Sequence, residues 1–251
     1  MKNSLTKKLI EKYSRQIVLK DIGISGQKKI INSKVLIVGV GGLGCPVVDY
    51  LSRSGVGSLG IADHDKVNLS NIHRQSLYNS KDVGKFKVEA IRNKIKKINS
   101  SVRLKLFKNK INKDNIKNII KNFDIIVDGS DNFKTKFLLN KFSIKFKKKL
   151  VVGAISKFDG HIFSFDFKIK KTPCLKCFYQ SDPSDEILDC ESEGIMGPLA
   201  GIIGSIQSMQ VLKLILNMKN DIFGKILIMD FKFLNFKKIK FRKKINCICK
   251  K

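Results

Sequence analysis

The chain has 251 residues, 43% of them hydrophobic, and carries 50 Lys and Arg against 21 Asp and Glu, a formal net charge of +29. That is enough apolar material for one sizeable core, and it fits one large α/β domain or two small ones. The lysines are spread along the whole chain and travel with Asn, Ile and Phe. The charge therefore reads as composition bias rather than a nucleic-acid face, and no aromatic–basic RNA-binding motif accompanies it. Six cysteines, two of them in a Cys-x-x-Cys, suit a reducing cytosol and a metal better than disulfides.

The start, Met1 to Lys12, is charged and lacks the apolar region of a signal peptide, so a cytoplasmic protein is expected. Residues 1–33 read as a helix and a short second one around Gln27 to Ile31, with Arg15 on an otherwise amphipathic turn. Val35 to Val38 is a β-branched run without polar alternation, as in a buried parallel strand. It ends in Gly39-x-Gly41-Gly42-Leu-Gly44, and helix Cys45 to Ser54 follows. Glycines at this spacing allow a tight turn, close approach to a phosphate and packing of the helix on the sheet. Backbone N–H groups and the helix dipole then face an anion. Asp63 closes the next strand, Ser58 to Asp63, about twenty residues on, where a ribose-binding carboxylate belongs.

A polar connection, Lys66 to Ser76, leads to helix Gly84 to Ile98, strand Val102 to Phe107 and helix Lys113 to Lys121. Strand Phe123 to Asp128 runs into Gly129-Ser-Asp131-Asn132 and helix Phe133 to Phe146, and Leu150 to Val152 is a fifth strand. Such alternation predicts an α/β fold, a doubly wound and mainly parallel Rossmann-like sheet, over a nucleotide-binding core at 34–153. After Gly153 the rhythm changes. His161 to Phe167, Lys225 to Asp230 and Phe233 to Phe241 alternate like strands wet on one face, so 154–251 is expected to be an antiparallel C-terminal β extension. Nothing in composition splits the chain into two domains. Ile195 to Leu212 has no charge, but it holds Pro198, three glycines and two glutamines. It is expected to be a helix buried in the fold or at a subunit interface, not a membrane span.

A nucleoside triphosphate needs cations on its phosphates, a metal, and a carboxylate to hold that metal. Asn71 and Arg74, in the loop after the second strand, place an amide and a guanidinium at the carboxyl edge of the sheet. Lys87 adds a second cation, and Asp131 can coordinate magnesium. Ligands of such sheets sit at this edge, so these residues should converge on Gly39 to Gly44.

The motifs Tyr13-Ser-Arg15-Gln-Ile17, Gly39-x-Gly-Gly-Leu-Gly44, Asp63-x-Asp65, Ser70-Asn-Ile-His-Arg-Gln75, Asp128-Gly-Ser-Asp-Asn132 and Cys174-x-x-Cys177 resemble, in order and spacing, those of the ThiF/MoeB/HesA family. These are bacterial relatives of the ubiquitin-activating enzymes, and the resemblance covers essentially the whole chain. It implies ATP rather than NAD, and adenylation of the C-terminal glycine carboxylate of a small ubiquitin-like sulfur-carrier protein. By the same resemblance Gly39, Gly41, Gly42 and Gly44 cradle the ATP phosphates and Asp63 takes the ribose. Asn71, Arg74 and Lys87 bind phosphate, Asp131 holds magnesium, and Arg15 reaches the ATP site of a second subunit in a homodimer.

Cys174, Cys177, Cys247 and Cys249 resemble the family's structural zinc site, although the family's second pair is spaced by two residues and Cys247-x-Cys249 by one. Cys190, in the long loop Cys174 to Gly194, matches the cysteine that in ThiF-like members bonds to the carrier during sulfur transfer. Its acidic neighbours would raise its pKa. A sulfurtransferase or cysteine desulfurase is a further implied partner. Tyr13 to Ile17, Ala62-Asp-x-Asp65 and Gly197-Pro198 favour a thiamine-type (ThiS-like) carrier. Gly44-Cys45 and Ile195-Met196 look more like MoeB and a molybdopterin-type (MoaD-like) carrier. The thiamine-type carrier, in thiamine thiazole biosynthesis, is the expectation, the molybdopterin type is the alternative, and a tRNA-adenylating relative is the reading from another class.

Overall fold

The computed structural model describes residues 5–179, 194–219 and 222–250. Eight strands form one sheet: β1 Lys34–Val38, β2 Ser58–Ala62, β3 Arg103–Phe107, β4 Ile125–Asp128, β5 Lys149–Ser156, β6 Asp159–Asp166, β7 Lys225–Asp230 and β8 Asn235–Lys240, in the order β3-β2-β1-β4-β5-β6-β7-β8. The first five are parallel and β5 to β8 are antiparallel, as expected from the change of rhythm near Gly153. The chain leaves β1 toward β2 and β3, then returns across it to β4 and β5. The helices that follow β1 and β4 therefore lie on opposite faces of the sheet, which opens a crevice at its carboxyl edge.

Unbroken apolarity in β1 has a direct cause. Val35 and Ile37 enter the core under α3 (Gly23–Asn32), α4 (Gly44–Arg53), α5 (Lys87–Ile98) and α9 (Gly197–Leu216). Leu36 and Val38 enter the opposite core, under α6 (Ile116–Ile120), α7 (Phe133–Lys145) and α8 (Leu175–Phe178). With helices on both faces neither side can be polar, and each fully buried aliphatic contributes roughly 1.5–3 kcal/mol.

The N-terminus differs from expectation. It forms α1 (Lys7–Lys12), capped by Thr6, and α2 (Ser14–Ile17) before α3, so there are three helices where two were read. Helix α5 starts at Lys87 rather than Gly84, because Gly84 has φ +83° and the Asp65 carbonyl accepts the Lys87 N–H at 3.0 Å. Helix α6 starts late because the Asn112 side chain accepts the N–H groups of Asp114 and Asn115. Strand β5 runs on through Gly153, where a Cβ would lie 2.5 Å from the Gln207 side chain of α9.

Helix α9 has 20 residues and a mean hydropathy of 1.5, enough by length and composition to cross a membrane, yet 56% of that stretch is buried within the fold. It packs on α3, α4, β5 and β6. Its outer residues Ile202 and Met209 stay exposed.

Candidate active site

A cavity of about 630 Å³ opens at the carboxyl ends of β1, β2, β4 and β5. Gly39, Gly41, Gly42, Asp63, Asn71, Arg74, Lys87 and Asp131 all line it, so the crevice gathers residues 92 positions apart. Gly39 has φ +83°, and a Cβ there would stand 2.7 Å from the Gly129 carbonyl oxygen. Only glycine lets the turns after β1 and β4 approach this closely. Gly44 is placed otherwise than expected: it opens α4 behind the turn, against the Gly39 carbonyl, and does not line the cavity. Its role is packing of helix on loop. Arg15 lies on α2, also outside the lining, and Cys190 falls outside the described residues.

Asp63 is held by the backbone. Its Oδ2 accepts the Val40 N–H at 2.8 Å and its Oδ1 the Asp65 N–H at 2.9 Å. Burial raises its pKa, and Lys87 and the two N–H groups pull the other way. Lys87, which in a lysine-rich chain could have been a solvated loop charge, is only 6% exposed and pairs with Asp65 Oδ2 at 2.9 Å. That contact outweighs partial burial and holds the Asp65 carboxyl below the usual range. Arg74 Nη1 donates to the Ser70 carbonyl at 2.9 Å and lies 2.9 Å from His73 Nε2. Asn71 is buried, its Oδ1 accepting the Asn68 N–H at 3.1 Å. Asp131 is exposed and, among the described residues, accepts only from Asn132 Nδ2, at 3.1 Å, while Asn132 Oδ1 caps α7 through the Thr135 N–H.

Several lining residues carry no signal of their own in the sequence: Asn68, Lys110 and Lys136, with Gln75, Asp65 and Ser130 standing only inside motifs. Lys136 is the largest omission, buried in an ion pair with Asp128 at 3.2 Å. Among 50 basic residues no local signal marks it. Asp63, His64 and Asp65 also bring ligand atoms within 4.8 Å, but backbone N–H groups and Lys87 already engage both carboxylates.

A second cluster lies apart from the cavity. The sulfurs of Cys174, Cys177, Cys247 and Cys249 are all within 4.8 Å of one another. Cys174 is 3.4 Å from Cys247 and 3.9 Å from Cys177, and Cys177 is 3.4 Å from Cys249. Thiolates around tetrahedral zinc stand roughly 3.8 Å apart, given metal–sulfur distances near 2.3 Å. The single-residue spacing of the second pair is thus no obstacle, and the donor set fits a structural zinc. Ile144, Phe167 and Phe241 pack around it.

A cavity with cations and a free carboxylate beside a glycine turn can bind a triphosphate and a divalent cation at once. The ThiF family model matches residues 13–250. The chain is 37% identical over 247 residues to "Adenylyltransferase and sulfurtransferase MOCS3" of Aedes aegypti, covering 98% of this chain and 56% of that protein. It is 38% identical over 237 residues to the Dictyostelium discoideum protein of the same name, covering 94% and 55%. The chain therefore spans about half the length of these relatives. E. coli MccB crystallised with ATP has the same fold (TM-score 0.82, 22% identical, 99% of this chain and 75% of that one), and so has PaaA (TM-score 0.77, 22% identical, 97% and 77%). The family match, which spans nearly the whole chain, makes this chain a member of the ThiF family.

Proposed function

We propose that this chain adenylates the C-terminal glycine carboxylate of a small ubiquitin-like sulfur-carrier protein, using ATP and releasing pyrophosphate. The observation that carries the reading is the convergence of Asn71, Arg74, Lys87 and Asp131 on the glycine turn in one cavity. A carboxylate oxygen of the carrier attacks the α-phosphorus. The new O–P bond forms as the bond to pyrophosphate breaks, and no proton need move. Two anions must meet, so the work of the site is neutralisation and alignment. Arg74 and Lys87 lower the negative charge around the phosphates, and Asp63, fixed by two N–H groups, accepts the ribose hydroxyls. Asp131 would hold magnesium, which when bound supplies charge neutralisation to the phosphate oxygens.

Three further assignments belong to this reading. The four cysteines hold a structural zinc that ties the C-terminus to the segment entering the long loop. A homodimer brings Arg15 of one copy to the cavity of the other, which the exposed Ile202 and Met209 of α9 and Tyr50 of α4 support as a partner-covered face. Sulfur comes from a sulfurtransferase or cysteine desulfurase, and Cys190 is the candidate acceptor.

As to the carrier, the relatives named above are designated for adenylyl and sulfur transfer. Gly44-Cys45 and Ile195-Met196 support a molybdopterin-type carrier, and Tyr13 to Ile17, Ala62-Asp-x-Asp65 and Gly197-Pro198 a thiamine-type one. Carrier-dependent ATP–pyrophosphate exchange decides, run with each carrier and with tRNA. Exchange is expected with a carrier, and exchange driven by tRNA alone would overturn the reading.

A further inference from the structure

Lys136 is 1% exposed and Asp128 is fully buried, yet both are charged residues in the wall below the candidate active site. A buried pair of this kind is a poor way to gain stability, because the desolvation of two ions cancels most of their attraction. Its contacts suggest another use. Lys136 Nζ donates to Asp128 Oδ2 at 3.2 Å, to the Ser130 carbonyl at 2.7 Å and to the Gly153 carbonyl at 2.7 Å. An ammonium has three N–H groups, and here all three are spent on protein. None is left for a phosphate, so Lys136 cannot be a third phosphate-gripping cation beside Arg74 and Lys87.

The acceptors surround one short piece of chain. Asp128 Oδ1 takes both the N–H and the hydroxyl of Ser130, at 3.0 and 2.5 Å, while Gln207 of α9 donates to the Asp128 carbonyl at 2.8 Å. Ser130 is thereby gripped through its N–H, its hydroxyl and its carbonyl. The next residue is Asp131, whose own side chain has, among the described residues, a single bond, to Asn132. We propose that the Lys136–Asp128 pair is a positioning device: it fixes the Gly129–Asn132 turn on β4, β5 and α9 so that the Asp131 carboxylate stands over the cavity while remaining free to take a cation. This rests on the proposed role of Asp131, and it names the residues that make that role possible.

The test separates positioning from phosphate binding and from plain core stability. Lys136→Met alone strands a buried carboxylate and is expected to lower the melting temperature. Asp128→Asn/Lys136→Met removes both charges and should regain most of that loss. In the double variant the proposal expects faster hydrogen exchange in the 129–132 backbone. It also expects a raised magnesium requirement and carrier-dependent turnover down about a hundredfold, with KM for ATP little changed. Ser130→Ala, which leaves the pair intact, should fold normally and show the same changes in milder form. Wild-type protection and turnover in both variants would reduce the pair to a core feature and overturn the proposal. A raised KM for ATP with the turn still protected would overturn it in favour of phosphate binding. If the unaltered protein shows no carrier-dependent exchange, the functional reading fails, while the hydrogen-exchange comparison still judges the positioning role.

Discussion

Replacing Asp131 by alanine should separate chemistry from folding more cleanly than any other change in the cavity. The side chain is exposed and, among the described residues, has one hydrogen bond, to the neighbouring Asn132 at 3.1 Å. Asn132 itself caps α7 through its other amide atom, so the turn and the helix start keep their bonds when Asp131 is truncated. A surface change of this kind costs no more than about 0.5 kcal/mol, or about 1–2 °C in melting temperature for a chain of this size. Loss of a group that organises charge in the transition state costs about 2.7–4 kcal/mol, a fall of roughly 10²–10³ in turnover. The effect on the barrier should therefore exceed the effect on folding at least about fivefold. Scanning calorimetry and carrier-dependent pyrophosphate exchange on the same preparation measure both. Normal exchange in Asp131→Ala would refute the assigned role. A melting temperature lower by more than about 5 °C would refute the claim that the residue is structurally idle.

Other outcomes follow from the same geometry. Purified protein should contain one zinc per chain, and a strong chelator or Cys247→Ser should lower the melting temperature; absence of metal with no chelator effect would leave the four thiols free. For Asp63 the folded-state pKa lies above the unfolded one because burial dominates. Its contribution to stability is thus fully present at pH below the unfolded value and is lost as pH rises through the raised folded value. The melting-temperature difference between Asp63→Asn and the unaltered protein should accordingly become more favourable to the variant from pH 3 to pH 7, while the variant loses nucleotide binding. A difference flat in pH would contradict this. The proposed homodimer would cover the exposed face of α9, so Met209→Lys, which places a charge there, should shift sedimentation from dimer to monomer without altering circular dichroism; a monomeric unaltered protein would refute the proposed dimer.

Much of the site was legible because its signals are local. The strand, glycine turn and helix from Lys34 to Arg53 are one continuous run, and Asp63 follows at the distance one βαβ unit dictates. Helix starts at Lys87 and Ile116 differ from the periodicity because the hydrogen bonds that delay them, accepted by the Asp65 carbonyl and the Asn112 side chain, have no periodicity to announce them. Gly44 shares the spacing of its neighbours, and only the three-dimensional turn shows that it faces the Gly39 carbonyl instead of the cavity. Lys136 looks like every other lysine in the sequence, and Lys87 is set apart only by its place after the motif loop and by the family resemblance. Their burial arises from pairing with Asp65 and Asp128, and partner and depth exist only once the sheet is assembled.

The distribution of hydrogen bonds around the cavity explains how such a site could tolerate so many charges. Asp63 is fixed by two backbone N–H groups, Lys87 is paired with Asp65, and Arg74 is braced by the Ser70 carbonyl and His73. Lys136 and Asp128 neutralise each other beneath them. These groups are oriented by the fold itself, so they need little rearrangement when charge develops on a substrate, which is the condition under which fixed dipoles and ions are most effective. Asp131 is the exception, held by a bond to its neighbour and open to solvent. That asymmetry suits the reaction proposed. Groups that receive the nucleotide can be rigid, because its phosphates and ribose arrive in one arrangement, whereas the carboxylate that takes the cation must accept it along with the nucleotide and let it leave with pyrophosphate. Rigidity in the wall below and freedom in the side chain above are thus complementary parts of one design.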